Sequence, residues 1–145
     1  MRKRISRILA FLLLFSLLLP SVSAATNPEP RMMLVPFTYT TEVTFSRSIG
    51  HIGTATFEVT ISGSCDVQSG YYATITSANC RYIQGMNCTY HEMYVDASVN
   101  TSTGLIDFRL LGETHFEWSD PYLNTYFSDY VYETAYYSFD PVNYV

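Results

Sequence analysis

The feature that most constrains the fold is an alternation of apolar and polar residues with a period of two. In "FTYTTEVTF" the odd-numbered residues from Phe37 to Phe45 share one face. The even-numbered residues share the other face, and they are three threonines and Glu42. The segment "TATFEVTIS", which starts at Thr54, repeats the pattern. Such alternation is typical of a strand with one buried face. Gly50 and Gly53 lie between the two segments and suit a connecting turn, so the sequence predicts a long antiparallel pair.

Further segments rich in β-branched and aromatic residues follow at short spacing. They begin at Gly70 ("GYYATITSA"), Thr89 ("TYHEMYVDASV") and Leu105 ("LIDFRLLGETHFEW"), and polar turns separate them. The turn "NTSTG" predicts a hairpin from Val99 to Leu105. Asp120 followed by Pro121 is consistent with one capped helical turn before a last strand at about 130–139. The chain is therefore predicted to be all-β, an antiparallel sandwich of about six to eight strands.

The N-terminus has the pattern of a secretory signal peptide. Basic residues lead into the apolar block "ILAFLLLFSLLL", and the small residues "VSA" end at Ala24. This order predicts cleavage after Ala24, and the block is shorter than the roughly 20 residues that a membrane-spanning helix needs. The sequence thus predicts a signal peptide at 1–24, a flexible segment at 25–34 and one β-sandwich domain at 35–145. We expect a secreted protein with no membrane attachment after cleavage.

The charge of the secreted chain restricts its partners. Without residues 1–24 it has four arginines and no lysine against all 13 carboxylates, a formal charge of −9. Phosphate backbones and anionic lipid surfaces repel such a chain, which argues against nucleic-acid and membrane-surface binding. Cationic partners, metal ions and neutral ligands remain compatible with this charge.

Three cysteines, Cys65, Cys80 and Cys88, lie in the secreted part. In an oxidising compartment such residues pair, so we expect one disulfide. Cys65 with Cys80 is the first candidate, because Cys65 follows the inward-facing parity of the strand before it. Cys80 with Cys88 is the alternative, as both flank the expected loop "RYIQGMN". The remaining thiol could link two chains into a covalent dimer.

Titratable residues give only weak signals for catalysis or metal binding. Cys88 and His91 supply half of a zinc motif, and His91 is interpreted as a strand histidine. His115 and Glu117 share one strand face, about 7 Å apart. The sequence has no G-x-S-x-G, H-E-x-x-H or Gly-rich phosphate motif. We therefore expect no metal and no cofactor. A small secreted hydrolase or inhibitor that uses His91 and His115 with nearby carboxylates is the alternative function.

The aromatic content is the most distinctive property of the C-terminal third. The chain has 13 tyrosines, and many of them follow His115. A tyrosine ring buries apolar area while its hydroxyl keeps a hydrogen-bond partner, which suits a binding surface. The sequence thus predicts a non-enzymatic binding module for a glycan or a protein partner. The candidate residues are an exposed platform and its two acidic neighbours: Trp118, Tyr122 and Tyr126, with Glu117 and Asp120.

Overall fold

The computed structural model describes residues 31–48 and 51–145 of the chain. It contains two antiparallel sheets of three strands each, with strands in the orders β1-β2-β3 and β4-β5-β6. The two sheets pack against each other, which confirms the predicted all-β sandwich. The strands are β1 (Leu34–Ser48), β2 (Ile52–Asp66), β3 (Ala73–Met86), β4 (Cys88–Val99), β5 (Ile106–Asp120) and β6 (Thr125–Phe139), and a short 3₁₀ helix, Pro141–Tyr144, follows them.

The core lies between the two central strands. On β2 the inward residues have odd numbers and include Phe57, Val59 and Ile61, each at most 1% exposed. On β5 they have even numbers and include Leu110 and Phe116, both fully buried. The period-two pattern in the sequence therefore identifies the buried face of the first sheet correctly, because successive strand residues point to opposite faces.

Specific contacts join the two sheets along both of their sides. On the side of β1 and β6, the Arg47 guanidinium contacts the Glu133 carboxylate through two hydrogen bonds, Nε–Oε1 at 3.0 Å and Nη2–Oε2 at 3.2 Å. Near the other end of these strands the rings of Tyr39 and Phe139 stack with centroids 3.9 Å apart. On the side of β3 and β4, Tyr82 stacks on His91 at 4.0 Å. Bidentate arginine–carboxylate pairs and stacked rings fix the relative position of two layers better than aliphatic contacts alone.

Two element boundaries differ from the prediction. Residues 81–86, expected in a loop, continue β3, and Asn87 with φ +57° is the single residue between β3 and β4. The last strand begins at Thr125 rather than at about 130. Asp120 does cap the turn before it, since its Oδ1 accepts hydrogen bonds from the amides of Tyr122 and Leu123. The hairpin from Val99 to Leu105 forms as predicted, with Asn100 and Leu105 hydrogen-bonded across the turn.

The expected disulfide is absent, and all three cysteines are free thiols. Cys80 pairs with Val59 in the sheet, and Cys65 lies six residues further along β2. This offset is about 20 Å of strand, far beyond the roughly 7 Å that a disulfide can span. The alternative, Cys80 with Cys88, assumed a loop that is in fact strand. Cys80 lies six residues before the end of β3, whereas Cys88 is the first residue of β4. Burial raises the pKa of the Cys80 thiol to about 11, which keeps it protonated at neutral pH.

The predicted signal peptide and most of the flexible segment at 25–34 lie outside the described residues. Residues 32–145 form one compact unit. Within the described part of the chain no helix has the length and apolar character required to cross a bilayer.

Candidate functional site

The outer face of the second sheet gathers most of the exposed tyrosines. Residues with even numbers on β4 and β6 and odd numbers on β5 point away from the core on this face. We call it the tyrosine face. Six of its tyrosines are between 43% and 73% exposed. They are Tyr90, Tyr94, Tyr126, Tyr130, Tyr132 and Tyr136.

Carboxylates lie between these rings. Five acidic residues share the tyrosine face with a single arginine, Arg109. The face is thus anionic, and carboxylates lie among its tyrosine rings. The acidic residues are Glu92, Asp96, Asp107, Glu113 and Glu117.

A groove of about 570 Å³ lies at the end of this face near the β4–β5 hairpin. Its walls carry donors, acceptors and aromatic rings together. Arg109 donates from Nε to Asp96 Oδ2 at 2.9 Å, and its Nη2 lies 2.7 Å from the same oxygen. Small-molecule sites are usually concave pockets of several hundred Å³ that contain a few convergent polar groups. The lining residues are Asp96, Ser98, Asp107, Phe108, Arg109, Tyr136, Tyr137 and Ser138.

The charges in this groove are partly compensated. Hydrogen bonding to Asp96 and its negative charge raise the pKa of Arg109, and Tyr136 contributes a smaller effect in the same direction. Asp107 accepts from the Asn100 side chain at 3.3 Å. Tyr136 is 73% exposed, so its ring is open to a ligand. The groove therefore presents three aromatic side chains beside two carboxylates, one guanidinium and two serine hydroxyls.

At the opposite end of the tyrosine face, Tyr130 lies flat on a buried histidine. The rings of Tyr130 and His115 are 3.7 Å apart and almost parallel, with an interplanar angle of 5°. His115 is only 6% exposed, whereas Tyr130 is 68% exposed. Polar neighbours hold the imidazole on both sides, Thr89 Oγ1 at 3.0 Å from Nδ1 and Ser128 Oγ at 2.8 Å from Nε2. Tyr130 is consequently a fixed ring whose outer surface is free.

Glu92 connects two further tyrosines. Its carboxylate accepts hydrogen bonds from the hydroxyls of Tyr90, at 2.7 Å, and Tyr94. These bonds lower the pKa of Glu92, Tyr94 having the larger effect. The same carboxylate raises the pKa of both phenols, because the bonds favour their neutral form. Two rings on β4 are thereby held in fixed orientations.

The structure distributes the predicted platform over two sides of the second sheet. Tyr126 belongs to the tyrosine face, and it pairs with Ser119 across the strands. Trp118 points to the other side, where its ring stacks between His51 and Phe127, with centroids 5.3 Å from each. Tyr122 lies in the β5–β6 turn and is 95% exposed. Trp118 and Tyr126 therefore do not form one surface.

The two predicted acidic neighbours of the platform are also separated. Glu117 lies on the tyrosine face, where its carboxylate raises the pKa of the Tyr126 phenol. Asp120 instead caps the β5–β6 turn. Of the five predicted binding residues, the structure thus brings together Tyr126 and Glu117.

The two histidines of the alternative function are on opposite faces of the sheet. His91 points inward and contacts Tyr82 and Phe57, while His115 lies on the outer face. Ser128 and Glu117, whose Oε1 is 3.5 Å away, both approach Nε2 of His115. In a serine–histidine–acid triad the acid contacts the nitrogen opposite the serine, so the arrangement around His115 differs from a triad.

No group of three or more histidine, cysteine or acidic side chains suited to a metal occurs in the described residues.

Sequence reasoning missed the groove residues Asp96, Asp107, Arg109 and Tyr136. Asp96 pairs with Arg109, and Arg109 pairs with Tyr136, so three strands contribute one residue each to a single row. The alternation along each strand could have identified them as outward residues. Their proximity depends on the register between strands, which the sequence of one strand does not contain.

No protein-family model, no curated protein and no solved structure matches the chain.

Proposed function

We propose that the protein is a secreted, non-enzymatic binding module that recognises neutral carbohydrate through the groove and the adjoining tyrosine face. The observation that carries the proposal is the row Asp96–Arg109–Tyr136, which places a carboxylate, a guanidinium and a 73% exposed ring side by side. A sugar has an apolar C–H surface and a rim of hydroxyl groups. It needs both kinds of contact from a site, and this row supplies both.

The polar groups of the groove match hydroxyls better than they match ions. A sugar hydroxyl donates to a carboxylate and accepts from a guanidinium, and both occur here in one hydrogen-bonded pair, Asp96 and Arg109. Because this pair already compensates its own charges, a neutral ligand joins it without displacing either partner. Asp107, Ser98 and Ser138 extend the acceptor and donor set along the same groove. The surrounding carboxylates repel anionic glycans, so we expect neutral oligosaccharides to bind.

The remaining tyrosines provide surfaces for further sugar units. Tyr130, fixed on His115, lies on the same face as Tyr136, and Tyr132 and Thr134 come between them on β6. Rings fixed before binding lose little conformational entropy when a ligand stacks on them. A chain of several sugars could thus contact Tyr136 and Tyr130 together.

The non-enzymatic assignment rests on the placement of the titratable groups. His115, the buried histidine on this face, shares one ring nitrogen between Ser128 and Glu117 and is covered by Tyr130. A general base must reach the proton that it removes from a substrate, and the covering ring leaves no approach to this imidazole. The hydrolase alternative would require Tyr130 to move.

The test is binding of the secreted protein to an array of neutral and acidic oligosaccharides, followed by calorimetric titration of the strongest ligand. We expect Tyr136→Ala and Asp107→Asn each to weaken binding by about tenfold or more, which corresponds to about 1.4 kcal/mol. Tyr136→Phe keeps the ring and should retain most of the affinity.

Two controls separate the face from the rest of the surface. Thr40→Ala, on the outer side of the first sheet, and Tyr122→Ala, in the exposed turn, should leave the affinity unchanged. Binding confined to acidic glycans, or affinity that Tyr136→Ala leaves intact, would refute the proposal. Release of reducing sugars from a bound oligosaccharide, abolished by His115→Ala, would instead favour the hydrolase.

A further inference from the structure

Four strands form the edges of the two sheets, and three of them carry features that oppose pairing with another chain. β1 contains Pro36, which has no backbone donor. β3 contains two irregularities in its pairing with β2, where Thr76 and Ile83 have no partner. β4 is the shortest strand, and its register shifts between Cys88 and Tyr90. Proline, bulges and short edges are the usual means by which proteins prevent edge-to-edge association.

β6 lacks proline, bulges and a short length, and its only protective feature is a pair of inward-facing carboxylates, Asp129 and Glu133. Its fifteen residues pair with β5 without a register shift, from Thr125 opposite Asp120 to Phe139 opposite Ile106. It has no proline, no lysine and no arginine, and its two acidic residues are Asp129 and Glu133. Among the described strands β5 is its only hydrogen-bonded neighbour, so half of its backbone donors and acceptors face outward. Such an edge is a template for a further strand.

We propose that β6 pairs with β6 of a second copy of this chain, which forms a two-fold symmetric dimer with one six-stranded sheet. An antiparallel pairing over the full length of the strand places Tyr132, its middle residue, opposite Tyr132 of the other copy. Two-fold symmetric interfaces require a surface that is complementary to itself, and an antiparallel pair of identical strands fulfils this requirement. Pairing of fifteen residues forms about fifteen backbone hydrogen bonds, at the upper end of the usual number in a stable interface.

The charges of β6 are placed so that this register avoids direct repulsion. Asp129 comes to lie opposite Ala135 of the other copy, and Glu133 opposite Val131. Glu133 is additionally neutralised by Arg47 within its own chain. A shift by two positions in one direction would place Asp129 opposite Glu133 of the other copy, and a shift by two in the other direction would place Glu133 opposite itself. Like charges directly opposite each other are destabilising, so the charge pattern favours the full-length register.

The dimer would extend the tyrosine face across both copies. Tyr130, Tyr132 and Tyr136 of each copy lie on the same side of the joined sheet, since alternate residues of paired strands share a face. The inference does not depend on the ligand of that face. If the face does bind carbohydrate, two grooves on one rigid sheet would increase the avidity for a multivalent glycan.

The test uses the secreted protein in sedimentation equilibrium and in amide hydrogen exchange. We expect wild type to dimerise reversibly and the outward-facing amides of β6 to exchange more slowly as the protein concentration rises. Tyr132→Glu places two carboxylates about 5 Å apart on the axis and should weaken the dimer by at least tenfold. Tyr132→Lys should weaken it in the same way, and an equimolar mixture of the two variants should restore dimers.

Tyr94→Glu is the matched control, because Tyr94 is equally exposed on the same face but lies on β4 at the far edge. It should leave the association unchanged. Circular dichroism and thermal unfolding of each variant show that the monomer is intact. A monomeric wild type, or a dimer that Tyr94→Glu weakens as much as Tyr132→Glu does, would overturn the inference. Dimers in the mixture of the Glu and Lys variants, with neither variant dimeric alone, would support it uniquely.

Discussion

The outer faces of the two sheets have the same strand geometry and opposite chemistry. On the first sheet the outward residues are mostly threonine and serine, which pair across the strands as Thr38 with Ser62, Thr40 with Thr60 and Thr44 with Thr56. In each of these three pairs one hydroxyl is the hydrogen-bond partner of the other. We call this the threonine face.

The tyrosine face of the second sheet has larger side chains, and their rings remain exposed. Tyr130 is supported from below by His115 and Tyr94 is bonded to Glu92, so the polar groups orient the rings instead of covering them. Both sheets have the same alternation of buried residues on their inner faces, although their outer faces differ in chemistry. The outer residues are free to satisfy each other, as on the threonine face, or to present surfaces to a ligand.

Truncation of an outward residue on the central strand should reduce stability far more on the tyrosine face than on the threonine face. His115→Ala removes a buried ring with three neighbouring hydrogen-bond or stacking partners, and we expect it to lower the free energy of unfolding by about 3 kcal/mol. Thr60→Ala, at a comparable central position on β2, should cost no more than about 0.5 kcal/mol. Chemical denaturation of both variants measures the contrast. Equal losses would mean that the tyrosine face has no specially built support.

The hydroxyl pairs of the threonine face should behave as self-contained units. Thr44 and Thr56 are 2.9 Å apart, and Thr56 is 7% exposed. Thr44→Val leaves a nearly buried hydroxyl without its partner and should cost about 1 kcal/mol, whereas the double variant Thr44→Val, Thr56→Val should recover most of this loss. Denaturant midpoints of the four proteins in the cycle provide the coupling energy. Strictly additive losses would contradict the pairing.

The smallest expected effect is a change in tyrosine titration. Hydrogen bonds to Glu92 raise the pKa of Tyr90 and Tyr94, because loss of either phenolic proton leaves two negative groups in contact. Glu92→Gln should therefore lower both pKa values toward the ordinary tyrosine value, and phenolate absorbance during alkaline titration reports it. Glu58→Gln, on the threonine face, is the control and should leave the titration curve unchanged.

The same contacts have a consequence at acidic pH. The pKa of Glu92 is lowered in the folded protein by hydrogen bonds from Tyr94 and Tyr90. Their stabilising contribution is thus present above the pKa of Glu92 in the unfolded chain and is lost as the pH falls through the lower folded-state value. In Glu92→Gln this part of the acid dependence of stability should be absent.

The sequence predicted the fold class and the inward residues of β1 and β2, since both depend on local alternation. It also predicted the hairpin after Val99, where the turn residues themselves specify the geometry. The extent of β3 was not predicted, because "RYIQGMN" contains glycine and asparagine that suggest a loop, and sheet pairing with β2 overrides that preference. The sequence also did not reveal that Trp118 and Tyr126 lie on opposite sides of the second sheet. The β5–β6 turn changes which parity points outward, and this change depends on the register of the two strands.

By itself the sequence determined that this chain forms strands, which side of the first two is buried, and that its tyrosines are concentrated in the C-terminal third. These properties follow from the conformational preferences and hydrophobicity of neighbouring residues. Only the tertiary structure decided that Asp96, Arg109 and Tyr136 form one row, that Cys65 and Cys80 are too distant to bond, and that β6 is the least protected edge. Register and strand order decide such facts, and they arise from contacts between segments that are far apart in the chain.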